Sequence, residues 1–293
     1  MSRLRWPDGK PICPRCGSDD VSYLPNAKVF KCYAKHERQK FSLKVGTIFE
    51  DSPIGLDKWL PVMWMLVNCK NGISSWEIHR AIGVTQKSGW FMLQRARLAM
   101  QDDKTGGKLS GEIEADETFI GGKARNMHAH KRAEKIHGRG AVGKAIVSAV
   151  LERHGEVRAT VISNRRKKAV QEHVREHVEA GSTVYSDELK SYEGLDEFTH
   201  QVINHAEAYV NGRIHTNGCE NFWSLLKRGL KGTYVSVEPF HLFRYVDEQA
   251  FRYNNRKDMD DADRFISVMQ RIVGRRLTYK ELIGKEGETV EAF

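Results

Sequence analysis

The sequence predicts a multidomain α+β protein, and three observations lead to this prediction. Three of the five cysteines lie in the first 32 residues, an apolar helical pattern follows them, and alternating strand patterns separated by helices fill most of the remainder. We therefore expect four regions in chain order: a zinc ribbon over residues 1–52, a helix-turn-helix domain over 53–106, a mixed-sheet α/β domain over 107–258 and a C-terminal tail over 259–293.

Charge and hydropathy limit the classes of partner. The chain of 293 residues carries 47 basic and 38 acidic side chains, which gives a formal charge of +9. This charge favours a polyanion, most simply nucleic acid, although a moderately basic enzyme has the same composition. No apolar run approaches the roughly 20 residues of a membrane span. No secretion signal opens the chain, so we expect a cytoplasmic protein with no membrane partner.

The N-terminal cysteines predict structural Zn²⁺. Two residues separate Cys13 from Cys16, and Gly17 follows, so both thiolates can face one ion across a tight turn. Cys32 and His36 have a spacing that can complete a tetrahedral site, which makes His36 the expected fourth ligand. A cluster of reduced cysteines in a basic loop is the alternative, but it would leave about 50 residues with little core of their own.

Helical periodicity characterises the region from residue 56 to residue 100. Apolar residues recur at three- and four-residue spacing between Trp59 and Val67, and two further helices are expected at residues 76–82 and 86–100, around a turn that contains Gly83. This pattern predicts a helix-turn-helix whose last helix reads DNA, with a plain helical hairpin as the alternative. The side chains suited to base edges and phosphates are Gln86, Lys87, Gln94, Arg95 and Arg97. The polar residues 102–107 are expected to form a linker.

The third region predicts a mixed sheet with acids near its strand ends. Residues 111–122 alternate as a strand and place Glu112, Glu114 and Asp116 on one face. Asp187 ends a later strand, and strand ends are where catalytic acids collect in such sheets. The other expected strands lie at residues 145–151, 157–162, 183–187 and 202–205, with one helix at 169–180 and another before the last strand.

A short amphipathic helix is expected to follow, with Thr216 or Asn217 as its N-terminal cap. Glu220 lies in its first turn, and Lys227 follows seven residues later, so the carboxylate and the ammonium group project from the same side. An acid able to hold a metal therefore lies near bases able to hold a phosphate, although an ordinary surface helix is the alternative. The further bases beside Lys227 are Arg228 and Lys231.

Three motifs together look like the catalytic core of bacterial Asp-Asp-Glu insertion-sequence transposases: Glu114–Gly122, Tyr185–Asp187 and His215–Gly229. More narrowly, the chain resembles insertion-sequence family fifteen-ninety-five over nearly its whole length, including residues 46–52, 244–248 and 252–256. Members of this family carry an N-terminal zinc ribbon and an RNase H-like catalytic domain, so the resemblance implies an RNase H-like fold for the third region. Such ribbons usually close with a second cysteine pair, whereas this chain offers Cys32 and His36.

The resemblance also implies a chemistry. Asp116, Asp187 and Glu220 would hold two divalent cations, Mg²⁺ or Mn²⁺, for in-line displacement at phosphorus. The same centre would hydrolyse DNA at the transposon 3′ end and join the freed 3′-OH to target DNA, with Lys227 steering a phosphate near the cut. The implied partners are the terminal inverted repeats, target DNA and further copies of the chain, in a homodimer or a higher multimer associated with the bacterial nucleoid.

Other residues of these motifs have more modest interpretations. Strand alternation places Glu117 on the opposite face from Asp116 and Glu114 one residue pair away, so Asp116 is preferred among the three acids. His205 and His215 flank the expected active site, where a phosphate contact and a structural role are both open and the structural role is the more common. The aromatic residues at positions 222, 223, 240, 243 and 251 are expected in the core rather than against DNA bases.

Two further functions fit the same residues. One is a DNA-binding regulator that has lost activity, and the other is an RNase H-like nuclease that cuts without joining. The presence of all three acids together with Lys227 argues against the regulator. Hydrolysis and strand transfer use the same metal site, so the residues alone do not separate the nuclease from the transposase.

Overall fold

The computed structural model describes residues 1–101, 107–122, 128–135, 142–203 and 215–284. These residues form two compact units. The first contains residues 1–101 and 258–284, and the second contains the described residues between 107 and 257. The predicted linker at 102–106, much of the basic stretch after residue 122, and His205 lie outside the described residues. Of the helices described, none combines the length and the hydropathy that crossing a bilayer requires.

The first unit begins with a small antiparallel sheet. Its elements are the short helix α1 (Ser2–Arg5) and the strands β1 (Val21–Leu24), β2 (Val29–Cys32) and β3 (Lys40–Phe41), paired in that order. Phe30 stacks on Phe41 with 5.5 Å between ring centroids, and Trp6 meets Phe30 edge-on at 5.1 Å. Cys13 and Cys32 are buried in the same cluster. A core this small needs further restraint, which metal ligation by its cysteines can supply.

Three helices follow in the first unit: α2 (Leu56–Asn68), α3 (Ser75–Ile82) and α4 (Gln86–Leu98). Their positions confirm the helices expected from periodicity. Ser74 and Glu77 form a capping box at the start of α3, and Gly83 ends this helix with a left-handed φ of 64°. Thr85 then caps α4 by accepting a hydrogen bond from the Ser88 amide. Local capping therefore sets the sharp turn between α3 and α4.

The second unit is built on a five-stranded mixed sheet. Its strands are β4 (Glu112–Ile120), β5 (Ala145–Glu152), β6 (Val157–Ile162), β7 (Thr183–Ser186) and β8 (Thr199–Val202), and the helix α5 (Ala129–Lys135) lies between the first two. The order across the sheet is β6-β5-β4-β7-β8. The pairs β4–β5 and β5–β6 are antiparallel, whereas β4–β7 and β7–β8 are parallel. The mixed sheet expected from the sequence is confirmed, with β4 at its centre.

Helices cover both faces of this sheet: α6 (Lys167–His177), α7 (Asn217–Arg228) and α8 (Leu242–Asn254). Ala115 of β4 packs in one buried cluster with Val174 of α6. Ala149 of β5 packs in another with Phe222 of α7 and Val246 of α8. Because neighbouring strand residues point to opposite faces, β4 contributes side chains to both layers.

The segment between β7 and β8 differs from the sequence prediction. Only a one-turn 3₁₀ helix, Lys190–Tyr192, is present where a helix was expected, and β8 ends at Val202, where the predicted strand began. Tyr192 and Leu195 are buried in the cluster that contains α6. The apolar residues of this segment are therefore satisfied by packing without a regular amphipathic helix.

The described C-terminal residues belong to the first unit, and not to a tail of their own as the boundary at residue 259 suggests. They form the helices α9 (Asp261–Gln270) and α10 (Tyr279–Leu282). Phe265 contacts Trp64 of α2 with 5.5 Å between ring centroids, and the Arg275 guanidinium donates to the Leu98 carbonyl at the end of α4. These contacts join segments that are far apart in sequence.

Candidate functional site

Three cysteines and one histidine meet beside the small sheet of the first unit. The ligand atoms of Cys13, Cys16, Cys32 and His36 all lie within 4.8 Å of one another. The Sγ atoms of Cys16 and Cys32 are 3.6 Å apart, and Cys13 Sγ lies 3.5 Å from His36 Nε2. A tetrahedral zinc ion with bonds of about 2.3 Å to sulfur separates its ligands by roughly 3.7 Å, so the four residues fit this ion.

The backbone around these ligands favours the metal-binding form. Gly17 has a φ of 76°, and its amide closes the turn by donating to the Cys13 carbonyl at 2.9 Å. His36 Nδ1 lies 2.6 Å from the Glu37 carbonyl oxygen, which leaves Nε2 directed toward the cysteines. Burial opposes ionisation of Cys13, but hydrogen bonds from the Arg15 and Cys16 amides and from neighbouring thiols lower its pKa to about 7. The cluster therefore supports structural zinc, with His36 among the four ligands.

In the second unit, three acids come from a strand, the end of a neighbouring strand and a helix. The parallel register pairs Glu114 of β4 with Tyr185 of β7, so Asp116 of β4 and Asp187, the residue that follows β7, lie at the same level. Glu220 lies in the first turn of α7. Burial raises the pKa of Asp116, and the charges of Asp187 and Glu220 add to this increase, as expected for carboxylates at neighbouring positions.

Asp116 has the most constrained environment of the three. Its Oδ2 atom accepts a hydrogen bond of 2.8 Å from Trp223 Nε1, and its Oδ1 atom accepts one of 2.8 Å from the Glu117 amide. Burial raises the pKa of Asp116 to about 6, these two hydrogen bonds oppose the increase, and the neighbouring carboxylates add to it. Glu220 is exposed, so the cluster opens to solvent on the α7 side. Clustered carboxylate oxygens of this kind are suited to Mg²⁺ or Mn²⁺.

Glu117 faces the opposite layer from Asp116. Its carboxylate accepts a hydrogen bond from the hydroxyl group of Tyr192, which is buried in the α6 cluster. Burial raises the pKa of Glu117 to about 7, and the charges of Asp116 and Asp187 act in the same direction. Near neutral pH this group is therefore partly protonated. The opposite-face placement expected from strand alternation agrees with these contacts.

Glu114 is occupied by structural contacts. Its Oε2 atom accepts hydrogen bonds from the Gly218 and Cys219 amides, at 2.7 and 3.1 Å, and so caps the N-terminus of α7. Its Oε1 atom lies 3.2 Å from Arg153 Nε and 3.2 Å from His215 Nδ1. The predicted cap by Thr or Asn is replaced by this more distant carboxylate, since Thr216 forms no side-chain cap bond.

The predicted bases lie in the last turn of α7 and in the helical turn that follows, on the helix that carries Glu220. Lys227 is partly buried, whereas Arg228 and Lys231 are exposed. Burial lowers the pKa of Lys227, the charge of Asp116 opposes this, and the charges of Lys231 and Lys144 add to the decrease. Lys227 lines the same cavity as these two other cations.

The basic residues expected on the surface of α4 are divided by the structure. Lys87 is exposed, with its Nζ atom 5.1 Å from the centre of the Tyr279 ring. Arg95 and Arg97 are only 4% and 1% exposed, which corrects the surface position expected for them. The Arg95 guanidinium donates to the Leu277, Ile48 and Glu50 carbonyls at 2.9, 3.0 and 2.6 Å. Such burial argues against contact between either arginine and DNA phosphates.

Three residues that sequence reasoning did not assign to the site have clear positions in it: Trp223, Tyr192 and Arg153. Trp223 was expected in the core, and it is 4% exposed, but it also donates to Asp116. Its position three residues after Glu220, on the same helix face, was the available signal. Among the other aromatic residues singled out, Phe222 and Phe251 are buried, whereas Phe240 is 41% exposed.

The structure thus has a cluster of possible zinc ligands in one unit and acids beside the central strand of the other, and comparisons with known proteins identify the class of protein. The model of the ISXO2-like transposase domain matches residues 108–254, and that of the transposase zinc-ribbon domain matches residues 1–36. The first match covers half of the chain, so the chain belongs to the ISXO2-like transposase family. The resemblance to insertion-sequence family fifteen-ninety-five is thereby confirmed.

Two relatives support this assignment. The chain is 29% identical over 245 residues to an uncharacterized protein in transposable element ISH50 of Halobacterium salinarum, an alignment that covers 78% of this chain and 81% of that protein. It is 31% identical over 120 residues to an uncharacterized transposase-like protein of Haemophilus influenzae, covering 40% of this chain and 94% of the relative. Membership of this family implies DNA binding and an activity of the polynucleotidyl transferase kind.

Proposed function

We propose that the chain binds the terminal inverted repeats of its element, hydrolyses the phosphodiester at the 3′ end and joins the 3′-OH to target DNA. The observation that carries the proposal is the placement of three acids: Asp116 and Asp187 lie at the same level of two paired strands, and Glu220 lies in the first turn of α7, whose Trp223 donates to Asp116. In this proposal the second unit is an RNase H-like catalytic domain, and the three carboxylates are its metal ligands. Two Mg²⁺ or Mn²⁺ ions held there would activate the attacking oxygen and stabilise the leaving oxygen.

Other groups of the protein orient the acids and contact the DNA backbone. Trp223 and the Glu117 amide orient the Asp116 carboxylate, so that it does not have to be ordered when metal and DNA arrive. Glu114 holds the first turn of α7, which carries Glu220. Lys227 contacts a phosphate next to the cut, and Arg228 and Lys231 extend the basic surface along the DNA backbone.

The first unit has a binding role in this proposal. Its zinc ligands hold the ribbon, and α4 presents Lys87 to DNA phosphates as part of a helix-turn-helix. The resemblance of the whole chain to the family extends the proposal to a homodimer or a higher multimer on paired element ends, close to the nucleoid.

A strand-transfer assay tests the proposal. The full chain is incubated with Mg²⁺ or Mn²⁺, a labelled duplex carrying the terminal repeat, and a supercoiled target plasmid. Asp187→Asn and Glu220→Gln should reduce cleavage and joining by at least about a hundredfold while end binding persists, because the substitutions remove metal-ligand charge. The exposed acid Glu172 of α6 provides a matched control, and Glu172→Gln should behave as the wild type.

The outcomes separate the candidate functions. Cleavage and joining that both depend on the triad support the transposase. Cleavage without joining under any target condition would instead identify a nuclease, and end binding without cleavage would identify a regulator. Near-normal strand transfer by Glu220→Gln, with Asp116→Asn inactive, would remove Glu220 from the metal site.

A further inference from the structure

A cavity of about 610 Å³ lies at the end of β4, the strand that carries Asp116. One wall is the backbone of Gly121 and Gly122, and the opposite side is formed by the end of α7 and the turn after it. Its volume is within the range of about 300–1,000 Å³ that small-molecule sites occupy. Lys227 belongs to its wall and lies on α7 about two turns after Glu220, and Phe119 and Ile120 of the wall follow Asp116 on β4, so the cavity adjoins the proposed place of cleavage.

The lining combines positive charge with an apolar surface. The cations are Lys144, Lys227 and Lys231, and none of the described lining residues is acidic. Phe119 and Leu230 contribute apolar surface. Positive charge selects a phosphate, whereas an apolar wall selects a flat ring system. A nucleotide has both parts.

Val235 lies at the rim of this cavity in a strained conformation. Its φ is 61°, in the left-handed region that β-branched residues rarely adopt, and its side chain is 78% exposed. The neighbouring Tyr234 is anchored by its hydroxyl group, which donates to Glu248 of α8, and its ring lies 4.7 Å from that of Tyr245. The surrounding structure therefore holds an apolar side chain outward at a cost, which is typical of functional positions.

We propose that the cavity receives one nucleotide of the DNA, turned out of the duplex beside the phosphodiester that is cut, and that Val235 takes its place against the base stack. This inference rests on the proposed function, because the cut phosphodiester is located by the acid cluster. A base cannot enter a cavity from within a duplex, so it must leave the stack first. Apolar side chains inserted at base steps favour that state by covering the exposed faces of the neighbouring bases.

Gly122 offers a way to fill the cavity without straining the backbone. A Cβ atom built at Gly122 meets nothing within 4 Å, and the residue has no left-handed φ. Gly122→Leu should therefore place a side chain in the space that the nucleotide would occupy. Gly232 has the same open surroundings but does not line the cavity, so Gly232→Leu is the matched control.

Fluorescence of 2-aminopurine reports the extrahelical base. Terminal-repeat duplexes carry 2-aminopurine at one position at a time on either side of the cut, and binding is followed without divalent cations so that the DNA stays intact. The wild type and Gly232→Leu should increase the fluorescence at one position by about three- to tenfold, and Gly122→Leu should not. Anisotropy with the same duplexes should show end binding by all three proteins, and circular dichroism should show that all three are folded.

Val235→Gly provides an independent test that does not depend on filling the cavity. Glycine adopts the left-handed conformation without strain, so this variant should fold at least as well as the wild type. Its Mg²⁺-dependent cleavage should fall by about tenfold on a paired duplex and return to within about twofold of the wild type when the extrahelical position is mismatched.

Two results would overturn the inference. One is an unchanged fluorescence at every position next to the cut with a wild-type protein that cleaves, which would leave the proposed function intact. The other is a Val235→Gly defect that a mismatch does not relieve. A wild type that does not cleave but increases the fluorescence would support the nucleotide site and reject the proposed catalysis.

Discussion

Trp223 Nε1 donates a hydrogen bond of 2.8 Å to Asp116 Oδ2, and this contact joins α7 to the central strand at the acid cluster. Trp223 thereby lowers the pKa of a carboxyl group that burial raises to about 6. It also packs in the core beside Phe222, with 5.1 Å between the ring centroids. A single side chain is thus part of the core and a positioning residue for the proposed metal ligand.

Trp223→Phe should keep most of the packing and remove the hydrogen bond. We expect the pKa of Asp116 to rise further, so the pH midpoint of Mg²⁺-dependent cleavage should move upward and metal affinity at pH 7 should fall by about two- to tenfold. Calorimetry with Mn²⁺ and a pH profile of cleavage measure both effects. Phe222→Leu is the control, because it disturbs the same core without removing a donor. An identical pH midpoint in Trp223→Phe and wild type would exclude the positioning role.

Glu114→Gln tests whether this buried acid is structural. It loses the charge that faces Arg153 and the α7 amides, so the free energy of unfolding of the second unit should fall by about 3–5 kcal/mol. Gly218→Ala should also be destabilising, because its Cβ would lie 2.7 Å from Glu114 Oε2. Urea denaturation measures both changes. A metal ligand would show the opposite pattern, with stability retained and Mn²⁺ binding lost.

Arg95→Met should destabilise the first unit and leave the electrostatics of DNA binding unchanged. Three backbone carbonyls lose a charged donor, which should cost about 2–4 kcal/mol in the free energy of unfolding. Lys87→Ala should have the complementary effect, with normal stability and a slope of end binding against salt that is smaller by about one. Urea denaturation and fluorescence anisotropy at several salt concentrations separate the two. If the folded Arg95→Met variant instead shows a smaller dependence of end binding on salt, Arg95 contacts DNA.

The zinc cluster should contain about one metal ion per chain. Cys16→Ser and His36→Ala should lower the zinc content and loosen the small sheet, because its core is too small to compensate. His36→Cys should retain the metal with four thiolate ligands. Elemental analysis after gel filtration measures the content, and Cys69→Ser, outside the cluster, is the control. Full zinc content in His36→Ala would remove only the fourth ligand from the assignment.

Glu117 should make the stability of the metal-free protein depend on pH. Burial raises its pKa to about 7, so the folded state retains a proton that the unfolded chain releases above about pH 4. The free energy of unfolding should therefore decrease as pH rises from about 4.5 to 7 and then level off. Glu117→Gln cannot release this proton, so it should be more stable than wild type at pH 8 by about 1–3 kcal/mol. Urea denaturation measures these free energies. If Glu117 does not titrate, the difference in free energy of unfolding between wild type and Glu117→Gln should be the same at both ends of the pH range.

The order of elements was largely predictable, because it depends on short-range patterns. The capping residues Ser74 and Thr85, with Gly83 between them, begin and end helices through contacts a few residues apart. Apolar alternation in β4, β5 and β6 likewise requires only the two faces of a strand. The spacing of Cys13 from Cys16 was enough to predict a metal turn, because the short connection limits their separation.

The sequence by itself determined which residues are candidates for the chemistry: the cysteines and His36 by their spacing, and Asp116, Asp187 and Glu220 by their resemblance to a family motif. Only the tertiary structure decided which of the charged side chains near these residues are buried and bind backbone groups of the protein itself. Arg95 meets Leu277, which is 182 residues away, and Glu114 meets Gly218, which is 104 residues away. Whether a charged side chain faces solvent or a buried backbone carbonyl or amide depends on such distant contacts, and burial changes its free energy by several kcal/mol. Local periodicity contains no information about these contacts.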